Sequence, residues 1–469
     1  MAISVTVTAT KIDITSTAGV LEDWDDVVTA VNAVTAGTIT GTGTSGDPYI
    51  ITCPSGYREV EFSGGVRVNF VANTYIEWAN ATAVTYMIDL ATTAELYINE
   101  GCNFNLSTGA SKNAYMLMYG KVTITGTVSN RVVFENHRLG YWWPFDAQDL
   151  NYVDFKNVGN SAGYLFYCGK ANSRIAPICS YKNIRCYNDN GNIWGRAYIG
   201  HGSNQIDRST FENIEIYNCE YFYSNVGSSK LKNVYVHDTT NYCFSQQVGK
   251  YSILPYRDTD PDQLEDQNLR NQAWHSFEDC EFDNVDSGVY GLYLQYQSVA
   301  KIKNCTFKNQ TYGLRSLYDC RIILLGTNTF TGNTVDRSIG DGDMYLYGHE
   351  IAINIQDTAG NPIENALMYI EATNGKDKQQ LISNSNGDIK DAHGDDCAFI
   401  EKHETSLGVF TTWDDYDYVV FAEGYVQETG SFQPSTVGSL TIIMHEPVKF
   451  KVIESGVPVE YPSQIKLVP

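Results

Sequence analysis

Tyr181-Lys-Asn183-Ile-Arg-Cys186-Tyr-Asn188 reads as apolar, any, Asn, apolar, any, apolar, any, Asn, and this octet returns along the middle of the chain. It recurs as Phe211-Glu-Asn213-Ile-Glu-Ile216-Tyr-Asn218 and as Leu231-Lys-Asn233-Val-Tyr-Val236-His-Asp238. Two further copies are Phe277-Glu-Asp279-Cys-Glu-Phe282-Asp-Asn284 and Ile302-Lys-Asn304-Cys-Thr-Phe307-Lys-Asn309. A worn copy precedes them (Tyr152, Phe155, Asn157) and another follows (Asn328, Phe330, Asn333). The anchors fall at 183, 213, 233, 279, 304 and 328, with most steps between 20 and 30 residues. That is the length of one coil in a solenoid.

Within each copy the apolar residues alternate, which is the period of a strand with one buried face. Asn and Asp before and after such a strand suit tight turns, because they bond local backbone and tolerate left-handed geometry. One coil cannot bury its inner face alone, so stacked coils share a continuous core and line up their Asn residues as ladders. An antiparallel sandwich would space its strands nearer ~10 residues, without a recurring Asn register. The expectation is an all-β chain with a right-handed parallel β-helix over residues 57–346.

Outward from that core, residues 57–136 carry looser strand runs: Val66–Phe70, Leu96–Ile98, Val122–Ile124 and Val132–Phe134. Residues 1–56 are expected to be a cap or docking segment, with a short helix from Trp24 to Val31, since a solenoid end must be covered. The 46-residue step from Asn233 to Asp279 implies an insertion at about 247–275.

After Tyr347 the pattern changes. A strand at Ile351–Ile355 leads into Asp357-Thr-Ala-Gly360-Asn361-Pro362 and Ala366. Ser385-Asn386-Gly387-Asp388, Tyr418-Val-Val-Phe421 and Gly424-Tyr425-Val426 follow. This succession resembles the carboxypeptidase regulatory-like family. The resemblance covers residues 347–445 and implies an Ig-like or transthyretin-like β-sandwich without catalysis of its own. Residues 446–469 read as a final hairpin or tail.

Composition removes several function classes. The 469 residues carry a net charge of −23, and no basic run offers phosphate contacts, so neither nucleic acid nor an anionic membrane surface is an expected partner. The eleven cysteines show no CxxC spacing and read mostly as small buried hydrophobes. No apolar stretch spans a membrane and Met1–Val7 has no signal-peptide character, so release by lysis or a dedicated export route is expected. No metal-ligand spacing, nucleotide loop or nucleophile elbow is present, and no cofactor is expected.

The octets place two columns on the outward face. One runs Arg185, Glu215, Tyr235, Glu281, Thr306; the other Tyr187, Tyr217, His237, Asp283, Lys308. Tyr187, Glu215, Tyr217, Tyr235 and Glu281 are therefore the candidate ligand contacts, aromatic area beside carboxylates that accept sugar hydroxyls. Catalysis is not the leading expectation. An enzymatic reading would use Glu215 and Glu281, because glycoside hydrolysis needs carboxyls ~5.5 or ~6.5–9.5 Å apart. A solvated face or a subunit contact is the simpler alternative. The acidic run Asp258, Asp260, Asp262, Glu265, Asp266 lacks the Gly of a tight Ca²⁺ loop, and Gly140–Phe145 forms an aromatic cluster.

Together these features resemble bacteriophage or similar viral structural proteins: a spike, fibre or decoration protein on the virion surface. The resemblance implies other virion proteins and copies of itself as partners, often as trimers, with host surface polysaccharide as a further contact. A polysaccharide depolymerase of the pectate-lyase or tailspike type and a bacterial surface adhesin are the alternatives.

Overall fold

The computed structural model describes residues 3–8, 11–16, 20–52, 59–79, 86–106, 115–136, 148–157, 166–167, 180–187, 196–200, 210–219, 221–224, 230–239, 242–247, 275–284, 290–295, 299–318, 320–375, 377–391, 394–413, 415–447, 452–454 and 457–459. The acidic run at 258–266, the Gly140–Phe145 cluster and most of the expected insertion lie outside them.

Each octet turns a corner. Ser180–Tyr187, Thr210–Tyr217 and Lys230–His237 pair in parallel, and their ladder skips Asn183 and Asn213. Asn183, Asn213, Asn233, Asp279 and Asn304 have φ between 51° and 57°, the left-handed geometry that redirects the strand. The residues before the first Asn form one side of a coil and those after it the next. In the later coils the two sides separate into His275–Glu278 with Glu281–Asp283, and Val299–Lys303 with Thr306–Lys308. Corner amides bond to their counterparts one coil away: Asn213 Nδ2 donates to Asn183 Oδ1, and Asn233 Nδ2 to Asn213 Oδ1, both at 3.1 Å.

A third side closes every coil, and the octets give no sign of it. It is built from Phe166–Tyr167, Arg196–Gly200, Tyr221–Ser224, Tyr242–Gln247, Tyr290–Gln295, Tyr312–Leu317 and Val335–Ser338 in one parallel sheet. The early coils take theirs from Lys11–Ser16, Glu59–Ser63, Tyr86–Leu90 and Tyr115–Met118.

Two unbroken inward columns make the core. One runs Phe70, Ile98, Ile124, Leu150, Tyr181, Phe211, Leu231, Phe277, Ile302, Leu324. The other runs Phe104, Phe134, Phe155, Cys186, Ile216, Val236, Phe282, Phe307, Phe330. Rings stack wherever phenylalanines are neighbours, at 4.9 Å for Phe104–Phe134 and 5.0 Å for Phe307–Phe330. Each fully buried side chain of this size contributes roughly 1.5–3 kcal/mol. The eight described cysteines are buried thiols, none in a disulfide, and Cys186 stands in the second of these columns.

The N-terminal end is covered by the helix Trp24–Val34, longer than the sequence suggests. It buries Trp24, Val27 and Val31 on one stripe, and Trp24 stacks on Phe70 at 5.0 Å. Asp25 and Asp26 sit in its first turn, where the helix dipole favours negative charge.

The described chain divides into two compact units, the first ending its continuous run at Gly348. Lys402–Thr412, which the sequence assigns to the second unit, belongs to the first. The reason is Glu404, whose buried carboxylate accepts from Tyr347 Oη at 2.5 Å and from Arg337 Nη1 at 3.0 Å.

The second unit comprises His349–Glu401 and the residues from Trp413 onward. One antiparallel sheet has the strand order Lys378–Ile382, Leu367–Ala372, Tyr416–Phe421, Glu428–Phe432. Separately, Ala352–Asp357 pairs in parallel with Ser439–Met444 and antiparallel with Asp388–Ile389. Phe399 meets both Tyr416 and Phe432 edge-on. Val452–Glu454 and Val457–Val459 form a hairpin. The turn chemistry of the quoted motifs is explicit. Asp357 Oδ1 accepts from the N–H groups of Ala359 and Asn361, and Asn384 Oδ1 from those of Asn386 and Asp388.

Candidate functional site

The parallel register brings all five predicted contacts onto one outward face. Asp154, Arg185, Glu215, Tyr235, Glu281 and Thr306 align on successive coils, beside Lys156, Tyr187, Tyr217, His237, Asp283 and Lys308. Their side chains engage one another and their neighbours on the face. Tyr187 lies on Tyr217 at 5.0 Å and 4°, and Tyr217 on His237 at 5.0 Å and 10°. Tyr235 packs on the same imidazole at 4.3 Å. Tyr187, Tyr217 and His237 stack from coil to coil, and Tyr235 packs on His237 from the same strand. Burial, with help from Tyr187 and Glu215, pushes the Tyr217 phenol up to about 12.

The carboxylates are similarly engaged. Asp154, buried, accepts from Arg131 Nε and from Arg185 Nε, the latter at 2.8 Å. Glu281 Oε1 accepts from Lys308 Nζ at 2.7 Å. Glu215 lies 3.5 Å from His237 Nε2, while His237 Nδ1 is 2.7 Å from Asp238 Oδ2. Tyr235 separates Glu215 from Glu281 in the ladder. Their backbones are thus two coils, roughly 9.6 Å, apart. That lies at the upper limit for an inverting pair, which needs ~6.5–9.5 Å between its carboxyl groups. Among the described residues no group of three or more His, Cys, Asp or Glu is placed to hold a metal ion.

At the last coils a cavity of about 720 Å³ is lined by Leu324, Phe330, Val335, Tyr347, Leu407 and Phe410, among others. Its polar members serve the scaffold: Arg337 is held by Glu404, and Asn328 Oδ1 accepts the Cys305 N–H at 2.8 Å.

The third side carries a feature that the octets conceal. Tyr290 and Tyr312 occupy equivalent positions on adjacent coils, as do Tyr293 and Arg315. Tyr290 stacks on Tyr293 at 4.7 Å and on Tyr312 at 5.5 Å. The Arg315 guanidinium lies 4.8 Å from the centre of the Tyr312 ring and 5.1 Å from that of Tyr290, and its Nη1 donates to Tyr290 Oη at 2.6 Å. The sequence signal is a second repeat, Tyr290-Gly-Leu-Tyr293 and Tyr312-Gly-Leu-Arg315. Glycine is required in it because a Cβ on Gly291 would sit 2.5 Å from the Gly313 carbonyl oxygen.

Residues 268–410 match a protein family described as a right handed beta helix region. The helix is right-handed. A double mutant of a periplasmic alginate epimerase is similar in structure, with a TM-score of 0.40 and 11% identity, over 74% of this chain and 72% of that one. No curated protein sequence matches the chain.

Proposed function

We propose that the protein is a non-enzymatic structural rod displayed on the surface of a bacteriophage-like particle, as a spike, fibre or decoration protein. The observation that carries this reading is the engagement of the outward face. Glu281 is tied to Lys308, Asp154 to two arginines, and the Tyr187–Tyr217–His237 rings to one another. Groups that would perform acid–base chemistry instead hold one coil against the next. A net charge of −23 keeps crowded copies apart and disfavours nucleic acid. The second unit, with its resemblance to carboxypeptidase regulatory-like sandwiches, supplies an appended β module of the kind that such particles display. Partners are then other virion proteins and further copies of this chain, and the location is the virion surface.

The test is to incubate the purified chain with a panel of bacterial polysaccharides and follow polymer length by size-exclusion chromatography, with mass photometry of the protein alongside. A self-associated protein that leaves every polymer intact is expected. Shortening of any one polymer that disappears in both Glu215→Gln and Glu281→Gln replaces this reading with that of a depolymerase.

A further inference from the structure

The four-stranded antiparallel sheet of the second unit has two unlike faces. One buries Met368, Ile370 and Val420. On the other, the strand register sets the alternate side chains in rows across the sheet. One end reads Ile382–Leu367–Phe421, the middle has Tyr369 beside Val419, and the other end reads Lys378–Glu371–Asp417. The apolar rows are open: Ile382, Tyr369 and Phe421 are 58%, 45% and 42% exposed, and Tyr369 meets Phe421 edge-on at 6.1 Å. Single surface hydrophobes are ordinary, but a contiguous apolar patch with a charged rim marks a contact surface. In the charged row, Lys378 is tied to Glu371 at 3.2 Å. Asp417 lies across the ladder from Glu371, a like charge, and forms no ion pair with a lysine or arginine among the described residues.

We propose that this face docks on the same face of a second copy of the chain, around a two-fold axis running along Leu367–Ala372. Two copies of a chain with net charge −23 repel one another, so a contact between them needs a patch where charge is answered. Rotation about this axis exchanges the strands on either side of it. Ile382 of one copy then meets Phe421 of the other, while Leu367 and Tyr369 meet their own counterparts. Lys378 meets Asp417 across the interface, twice by symmetry. The two Glu371 carboxylates approach near the axis, each held by its own Lys378. An axis shifted towards Tyr416–Phe421 would set Glu371 against Asp417, like against like. One shifted towards Lys378–Ile382 would leave Asp417 unanswered and Phe421 outside the contact. The charges thus select the central axis. A face four strands wide is small beside a standard interface of about 800 Å² per partner, so the pairing is reversible and concentration-dependent. The inference rests on the display reading only in expecting copies of the chain to meet, and it names where they do.

The experiment is sedimentation velocity of the full chain across micromolar concentrations, with circular dichroism of each variant. A wild-type dimer is expected, weakened at least ten-fold in Phe421→Lys, in Asp417→Lys and in Lys378→Asp. The double variant Lys378→Asp with Asp417→Lys should regain the dimer to within a few-fold of wild type. It rebuilds the contact across the axis and still leaves Glu371 beside a lysine, and such recovery does not arise from a folding defect. A wild-type chain that stays monomeric, association unchanged by Phe421→Lys, or a folded double variant no better than the single ones would overturn the proposal. So would a monomeric wild type whose Phe421→Lys variant unfolds at lower urea, since the face would then be covered within the chain. Shortening of a polysaccharide by the chain would end the display reading and leave these outcomes as they stand.

Discussion

Every corner between the two octet sides depends on one residue in left-handed geometry, and at Asn213 that residue also serves as a rung. Its φ is 57°, its Nδ2 donates to Asn183 Oδ1 and its Oδ1 accepts from Asn233 Nδ2. Two effects are separable by substitution. Asn213→Gly keeps the conformation free and removes only the rungs, about 1 kcal/mol. Asn213→Val removes the rungs and forces a β-branched residue into a disfavoured region, at about 1–3 kcal/mol more. Urea unfolding of both variants measures the difference, and equal destabilisation would show that the backbone conformation contributes nothing. The same scale explains why the site residues were legible only as positions. Alternation puts Tyr187, Tyr217 and His237 on one face, but ring orientation depends on how three coils pack, which no single octet contains.

The hairpin formed by Cys397–Ser406 and Val409–Thr412 is an element whose allegiance rests on one buried anion. Glu404 is fully buried, and its carboxylate accepts from Tyr347, Arg337 and the Gly408 N–H. Glu404→Ala leaves the Arg337 cation beneath the hairpin without its counter-ion, and breaking a buried pair in this way costs about 3 kcal/mol. Denaturant unfolding gives the total, and hydrogen exchange locates the loss at residues 402–412; unchanged protection there would contradict the anchoring role. Sequence reading failed at this element for a definite reason. Strand periodicity tells which side chains are buried and not against which partner, so a hairpin that joins another unit looks like any other. The third side was missed for a related reason. Its strands carry Tyr-Gly-Leu and Tyr-Phe-Tyr runs rather than Asn corners, and masked alternation in Tyr290–Gln295, five of whose six residues are buried, hides the period. The octets, by contrast, carry their own corners and their own core residues, and the coil stacking follows from them directly.

In the whole helix each coil touches only its neighbours, so stability should propagate as nearest-neighbour terms. The two inward columns are continuous, yet no described pairing links the first coils to the last except through those between. The cap helix is therefore a boundary condition acting on one end. Trp24, 1% exposed and stacked on Phe70, is its largest buried side chain. Trp24→Ala should cost about 3–5 kcal/mol by the usual loss for a buried aromatic. The loss should be local. Amide exchange should rise steeply in residues 59–79, less in 86–106, and stay at the wild-type rate in 290–295 and 312–317. Uncovering that end also exposes the Phe62 and Phe70 rings and the strand edges beside them, so concentration-dependent association should appear by light scattering. Uniformly faster exchange along the whole helix would mean that the coils unfold as one block, and the nearest-neighbour description would then be wrong for this protein.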